Sequence, residues 1–184
     1  MTRTQGKFRL RPLAPSALVI GLVLGCGCAS LPSPAHGAGA TPALQGMQDC
    51  FAVGDVSARE ACFAKMPDDE IADCERRRAN ACMPYKEMHA LEQQRTQLGQ
   101  QILAKSRQAY ASYVEDDAAY LDDLAAYMKT SDTAWVAYRD ADCALEPFAQ
   151  GMSRREAPDL TEACRVERTQ ARIEQLKALA AELK

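Results

Sequence analysis

From Leu121 onward, apolar or small positions recur in alternating steps of three and four: Leu121, Leu124, Met128, Ser131, Trp135, Tyr138, Asp142 and Leu145. This is the spacing of one helix face, and that face is expected to be buried. The same alternation returns near the C-terminus in Val166, Thr169, Ile173, Leu176, Ala180 and Leu183, after a polar break from Gln150 to Pro158. A third long helix is predicted from Pro84, a residue tolerated at a first helical position, through Met88, Leu91, Leu98, Ile102, Ala109 and Tyr113. Arg95 and Lys105 interrupt that stripe and leave its register open. Upstream, Ser57 with Glu60 three residues on reads as the start of a short helix that Pro67 stops, and Asp68 starts another that ends before Pro84. From Ser57 the chain is rich in Ala, Glu, Gln, Leu, Arg and Lys, and Gly99 is the only glycine between Gly54 and Gly151. These features predict an all-α fold: a small antiparallel bundle of three long helices with a short N-terminal helical hairpin.

The first forty residues follow a different pattern. Arg3, Lys7, Arg9 and Arg11 precede an apolar run from Ser16 to Leu24, far too short to span a bilayer as a helix of ~20 residues. Residues 1–40 read as a signal peptide with its cleavage zone. Two processing routes are open: acylation at Cys26, in the lipobox-like Val23-Leu24-Gly25-Cys26, or cleavage at Ala38-Gly39-Ala40. Only the first gives a membrane attachment, through a lipid anchor at Cys26. Residues 41–48 read as linker, and 49–184 as one domain with one core. With the four leading cations set aside, 18 basic residues face 25 acidic ones, a balance of −7. That charge disfavours nucleic acid and favours long-range attraction to a cationic protein. The acidic clusters Asp68–Glu70 and Glu115–Asp117 and the basic run Arg76–Arg78 read as solvated helix ends and faces.

Setting aside Cys26 and Cys28, six cysteines remain, and an even number behind an export signal points to disulfides. Cys74 and Cys82 are eight residues apart, ~12 Å on an unbroken helix and beyond the ~7 Å reach of a disulfide. Unless that helix breaks, a hairpin centred near Asp68 favours the nested pairs Cys62–Cys74 and Cys50–Cys82; the sequential alternative joins Cys50 to Cys62. Cys143 and Cys164 flank the connection between the last two helices, and bridging them should stabilise the fold by ~3 kcal/mol on loop-entropy grounds. The spacings are not those of a zinc finger or ribbon.

The segment Trp135-x-x-Tyr138-Arg139-Asp140-x-x-Cys143, with Glu146, Cys164, Thr169, Arg172 and Leu176 downstream, resembles the domain of LprI-like lysozyme inhibitors, a bacterial envelope family. The likeness covers residues 121–179 well. It implies a small helical exported domain, a bond between the two later cysteines, and inhibition of lysozyme. Upstream, Asp49-Cys50 and Glu60-Ala-Cys62 echo the family's close cysteine pair, whereas Cys74 and Cys82 look like an addition. From the residues alone, Trp135 and Tyr138 are expected as core anchors, and Arg139 is expected to bind Glu146 or a carboxylate from a neighbouring helix.

Little points to catalysis or to a cofactor. His89 is the only histidine after residue 40, and there is no Gly-rich phosphate loop, C-x-x-C pair or haem motif in residues 41–184. Two readings follow, both extracytoplasmic. In the first, an acidic binding module captures a cationic lysozyme, with Gln150, Arg154 and Arg155 of the 147–159 loop as the candidate contacts. In the second, a structural or stress-related envelope protein binds some other envelope component and inhibits no lysozyme.

Overall fold

The computed structural model describes residues 42–183 of the chain. The signal segment and the acylation candidate Cys26 lie outside the described residues. Six α-helices follow one another, with no strand among the described residues: α1 (Pro42–Ala52), α2 (Val56–Phe63), α3 (Asp68–Arg77), α4 (Met83–Ala109), α5 (Tyr120–Ala149) and α6 (Ala157–Glu182), with a 3-10 turn at Ala111–Glu115 between α4 and α5. The all-α, disulfide-braced architecture matches the expectation. Residues 42–48, read as linker, instead form most of α1, which Cys50 ties to α2.

The short helices start and stop for local reasons. α2 is capped by Asp55 rather than Ser57: its side chain accepts the Ala58 amide at 2.8 Å, and its charge faces the positive end of the helix. Glu60 is thereby released from a capping role and is buried. α3 opens with Asp68, Asp69 and Glu70 and ends with Arg76 and Arg77, both matched to the helix dipole. It stops at Arg77, earlier than expected, because the chain then turns through extended Arg78 and left-handed Asn80 (φ 59°). The Glu75 carboxylate holds this turn by accepting the amides of Asn80 (2.6 Å), Cys82 (2.7 Å) and Met83 (2.7 Å).

That turn corrects the upstream disulfides. The bonds are Cys50–Cys62 and Cys74–Cys82, with Cα separations of 5.5 and 6.2 Å, not the nested Cys62–Cys74 and Cys50–Cys82. The helix does break between Cys74 and Cys82, which removes the ~12 Å obstacle. Around these bridges Cys50, Phe63, Met66, Ile71, Ala81 and Tyr85 form a compact core. Its rings pack as a trio, with Phe51 edge-on to Phe63 at 5.0 Å and Phe63 stacked on Tyr85 at 5.2 Å.

The three long helices form the bundle. α6 is central, packing along α4 and α5, while α4 and α5 barely meet. The α6 stripe is buried from Val166 through Thr169 and Ile173 to Leu176. On α4 the buried line is Met88, Arg95, Ile102 and Ser106, so Arg95 belongs to the stripe instead of interrupting it. Tyr113 lies beyond α4 in the 3-10 turn and is exposed. Pro147 sits buried within the last turn of α5, which stops at Ala149, so only one backbone bond is lost to it.

The α5 face expected to be buried is rotated. Its buried residues in the C-terminal half are Arg139, Cys143 and Pro147, while Tyr138 and Leu145 are 61% and 64% exposed. The bridge from Cys143 to Cys164, Cα atoms 5.5 Å apart, and the charges surrounding Arg139 together set this orientation. Apolar spacing placed Leu121, Leu124, Met128 and Trp135 correctly toward the bundle, where they are half-buried, but not Ser131, Tyr138 and Leu145, which are exposed.

Candidate functional site

The motif residues converge where α4, α5 and α6 meet. Arg139, almost fully buried, donates to Glu92 on α4, to the Thr169 hydroxyl on α6 at 2.9 Å, and to Asp140 at 2.8 Å. Its partner is thus a carboxylate from a neighbouring helix, not Glu146. Arg95 donates to the same Glu92 (2.7 Å) and to Asp132 on α5. Burial pushes the Glu92 carboxyl up, but the hydrogen bonds and charges of Arg139 and Arg95 outweigh it and hold the group below its ordinary range. Trp135, half-buried, has three guanidinium groups against its ring, Arg139 at 5.1 Å and Arg95 and Arg172 each at 5.7 Å.

The network continues toward the N-terminal core. Asp140 also accepts from Arg165 (2.9 Å), which reaches Glu60 on α2 (2.5 Å) and Glu162 one turn back on α6 (2.7 Å). Glu60 and Glu162 are both buried. Burial pushes the Glu162 carboxyl up to about 7; Arg165 opposes that shift and the neighbouring Glu60 charge adds to it. One Glu162 oxygen is buried without a hydrogen-bond partner, consistent with a carboxyl that readily holds a proton. Burial works against the Arg165 charge, yet the surrounding carboxylates raise its hold on the proton.

Glu60, Glu92, Arg95, Glu162 and Arg165 were missed by sequence reasoning. One signal was available: Arg95 stands seven residues from both Met88 and Ile102, a heptad position that a solvated arginine would not favour.

The remaining motif residues have distinct places. Glu146 is half-buried and accepts from Gln150 at 3.1 Å. Arg172 and Leu176 line a cleft of ≈450 Å³ between the long helices, together with Leu103 and Met128. Tyr138, expected as an anchor, points to solvent. In the α5–α6 connection, Gln150 is tied back to Glu146, while Arg154 and Arg155 are exposed. The connection is pinned at its base by Cys143–Cys164, and Gly151 takes a left-handed φ of 77° that favours glycine.

This chain of motif residues can position helices and present a surface. Among the described residues no group of three or more His, Cys, Asp or Glu side chains is placed to hold a metal ion. The family model described as "Lysozyme inhibitor LprI" matches residues 69–176. The chain belongs to the LprI family. No curated protein and no solved structure matches it. The LprI match takes in α4, α5 and most of α3 and α6, and so includes the whole Arg95–Glu92–Arg139–Thr169 cluster. It leaves out α1, α2 and the Cys50–Cys62 bridge. Three disulfides suit an extracytoplasmic setting, and no described helix is long and apolar enough to cross a membrane.

Proposed function

We propose that this chain is an exported binding protein that inhibits a lysozyme-type muramidase by occluding its cleft. The observation that carries this reading is the LprI match across the bundle. Export rests on the basic and then apolar N-terminus; acylation at Cys26 would add a tether without altering the domain.

The inhibitory element in this reading is the connection between α5 and α6. Phe148, at its entrance, and Met152, within it, are exposed, and beside them Arg154 and Arg155 are exposed as well. An aromatic and an aliphatic anchor flanked by guanidinium groups suit a groove whose catalytic groups are carboxylates. The balance of −7 over the body speeds the approach of a cationic enzyme, and the loop arginines then meet its acidic cleft.

The test is a turbidity assay of peptidoglycan lysis with purified residues 41–184 at two salt concentrations. Inhibition that weakens with added salt is expected. The double substitution Arg154→Ala, Arg155→Ala should weaken it about a hundredfold, since charged contacts at a desolvated cleft each contribute on the order of 1.4 kcal/mol, a factor of about ten apiece. Unchanged inhibition would remove the loop from the mechanism. Absence of inhibition across a panel of lysozymes would point instead to another envelope partner.

A further inference from the structure

α5 is inside out over its C-terminal half. Between Thr133 and Ala149 the exposed large side chains, Tyr138, Leu145 and Phe148, are uncharged, whereas Arg139 is buried and Asp140, Asp142 and Glu146 are half-buried, their side chains 44%, 33% and 43% exposed. Each of these four has a partner within the fold: Glu92 for Arg139, Arg165 for Asp140, and Arg168 for both Asp142 (3.1 Å) and Glu146 (3.9 Å). Outside stand Tyr127, Tyr138, Leu145 and Phe148, 74%, 61%, 64% and 53% exposed. Exposed α6 residues such as Glu167, Arg168, Glu174 and Lys177 show the ordinary, charged solution.

The exposed positions are also in register. Tyr127, Ser131, Ala134, Tyr138, Ala141, Leu145 and Phe148 advance by alternating steps of four and three, the heptad seam of one helix packed along another. At 1.5 Å per residue the seam is about 32 Å long. The positions beside it, Thr130, Ala137 and Ala144, are small enough to let a second helix approach closely. A monomer seldom exposes so continuous an apolar strip.

We propose that a second copy of this chain packs on this face, α5 against α5 across a two-fold axis. Charge selects the occupant. No position of the strip itself carries a carboxylate, and the neighbouring Asp140, Asp142 and Glu146 are already paired with Arg165 and Arg168, so the electrostatics that favour the muramidase are weaker here. Two copies each carrying −7 repel one another over most of their surface, and an uncharged strip is where that repulsion is weakest. The heptad spacing is self-complementary, as a two-fold contact requires. The strip ends at Phe148, at the entrance of the loop, so dimerisation would cover that ring but leave Met152, Arg154 and Arg155 of both loops available.

Sedimentation equilibrium of the exported, oxidised protein over a wide concentration range tests this without any lysozyme. Twice the chain mass is expected. Tyr138→Glu and Leu145→Glu place like charges opposite each other and should raise the dimer dissociation constant by about a hundredfold or more. Circular dichroism should show unchanged helix content in both, since the positions are exposed; Leu145→Gln, which adds no charge, serves if a glutamate variant misfolds. A wild-type protein that stays at single-chain mass overturns the proposal, as does a dimer that survives both substitutions. If a single-chain protein loses inhibition of lysis on these substitutions, the face belongs to the muramidase instead.

Discussion

Around Phe63 the chain packs rings, aliphatic groups and two disulfides; around Arg139 and Arg165 it packs guanidinium groups and carboxylates. The helices of the first region run only 8 to 11 residues. Such segments are marginal in isolation, so their order must come from tertiary burial and cross-links. The long helices, 26 to 30 residues, need less help to stay helical but could slide along one another. Buried ion pairs resist sliding, because Glu92 serves Arg95 and Arg139 together in only one register. The apolar region gains stability, whereas the ionic region gains alignment at a desolvation cost.

The largest expected effect breaks the first region. Removing both of its bridges, Cys50→Ala with Cys62→Ala and Cys74→Ala with Cys82→Ala, should cost about 2–4 kcal/mol per bridge. Proteolysis should then cut first within α1 to α3, leaving the Cys143–Cys164 bundle. Initial cutting within α5 or α6 would contradict the division.

Single substitutions sharpen it. Phe63→Ala should cost about 3–5 kcal/mol at any pH where the protein is folded, since only apolar contacts are lost. Arg165→Met should cost about 3–5 kcal/mol at pH 8, where it strands Glu60 and Glu162, and clearly less at pH 5, where the Glu162 carboxyl, pushed up to about 7, holds a proton. Urea unfolding at both pH values separates the two. Equal pH dependence of the two costs would remove the distinction.

The wild-type protein should show the same sign. Glu162 has an ordinary value of 4.5 and is pushed up to about 7 by burial, so between these the folded chain binds more protons than the unfolded one. Its contribution is complete below about 4.5 and is lost as pH rises to about 7, a change on the order of 3 kcal/mol. Asp159, raised by burial despite Arg78, acts in the same direction. Glu92 is held low, so its contribution fails only as pH falls below the carboxylate range. Glu162→Gln should flatten the loss between pH 5 and pH 8. A wild-type stability that is constant over that interval would show that the carboxyl is not shifted.

The two regions also differ in how far the sequence revealed them. The helices of the bundle and the α6 stripe were legible because Val166, Thr169, Ile173 and Leu176 follow the helical period and are buried. The orientation of α5 was not, because apolar spacing assigns the apolar side to the core, and here the core takes Arg139 and Cys143 while Tyr138 and Leu145 face water. Charges that are neutralised across helices break the apolar pattern of each one, and only Arg95, in heptad step with Met88 and Ile102, left a periodic trace. The upstream disulfides were misassigned for a comparable reason. The break at Arg78–Asn80 carries no proline or glycine, and it depends on one carboxylate that reads in the sequence as part of a solvated helix.

That carboxylate, Glu75, lies at the junction of the two regions. It accepts three amides, two of them at the start of α4, where the first four N–H groups have no helical partner. Glu75→Gln keeps one oxygen but loses the charge and half of the acceptor capacity, so a cost of about 1–2 kcal/mol is expected, smaller than that of any change above. The effect should be local. Amide hydrogen exchange should accelerate at Asn80, Cys82 and Met83 while remaining slow at Ile173, in the middle of α6. Faster exchange at Ile173 by the same factor would mean that the turn is coupled to global unfolding and that the apolar and ionic regions open as one unit.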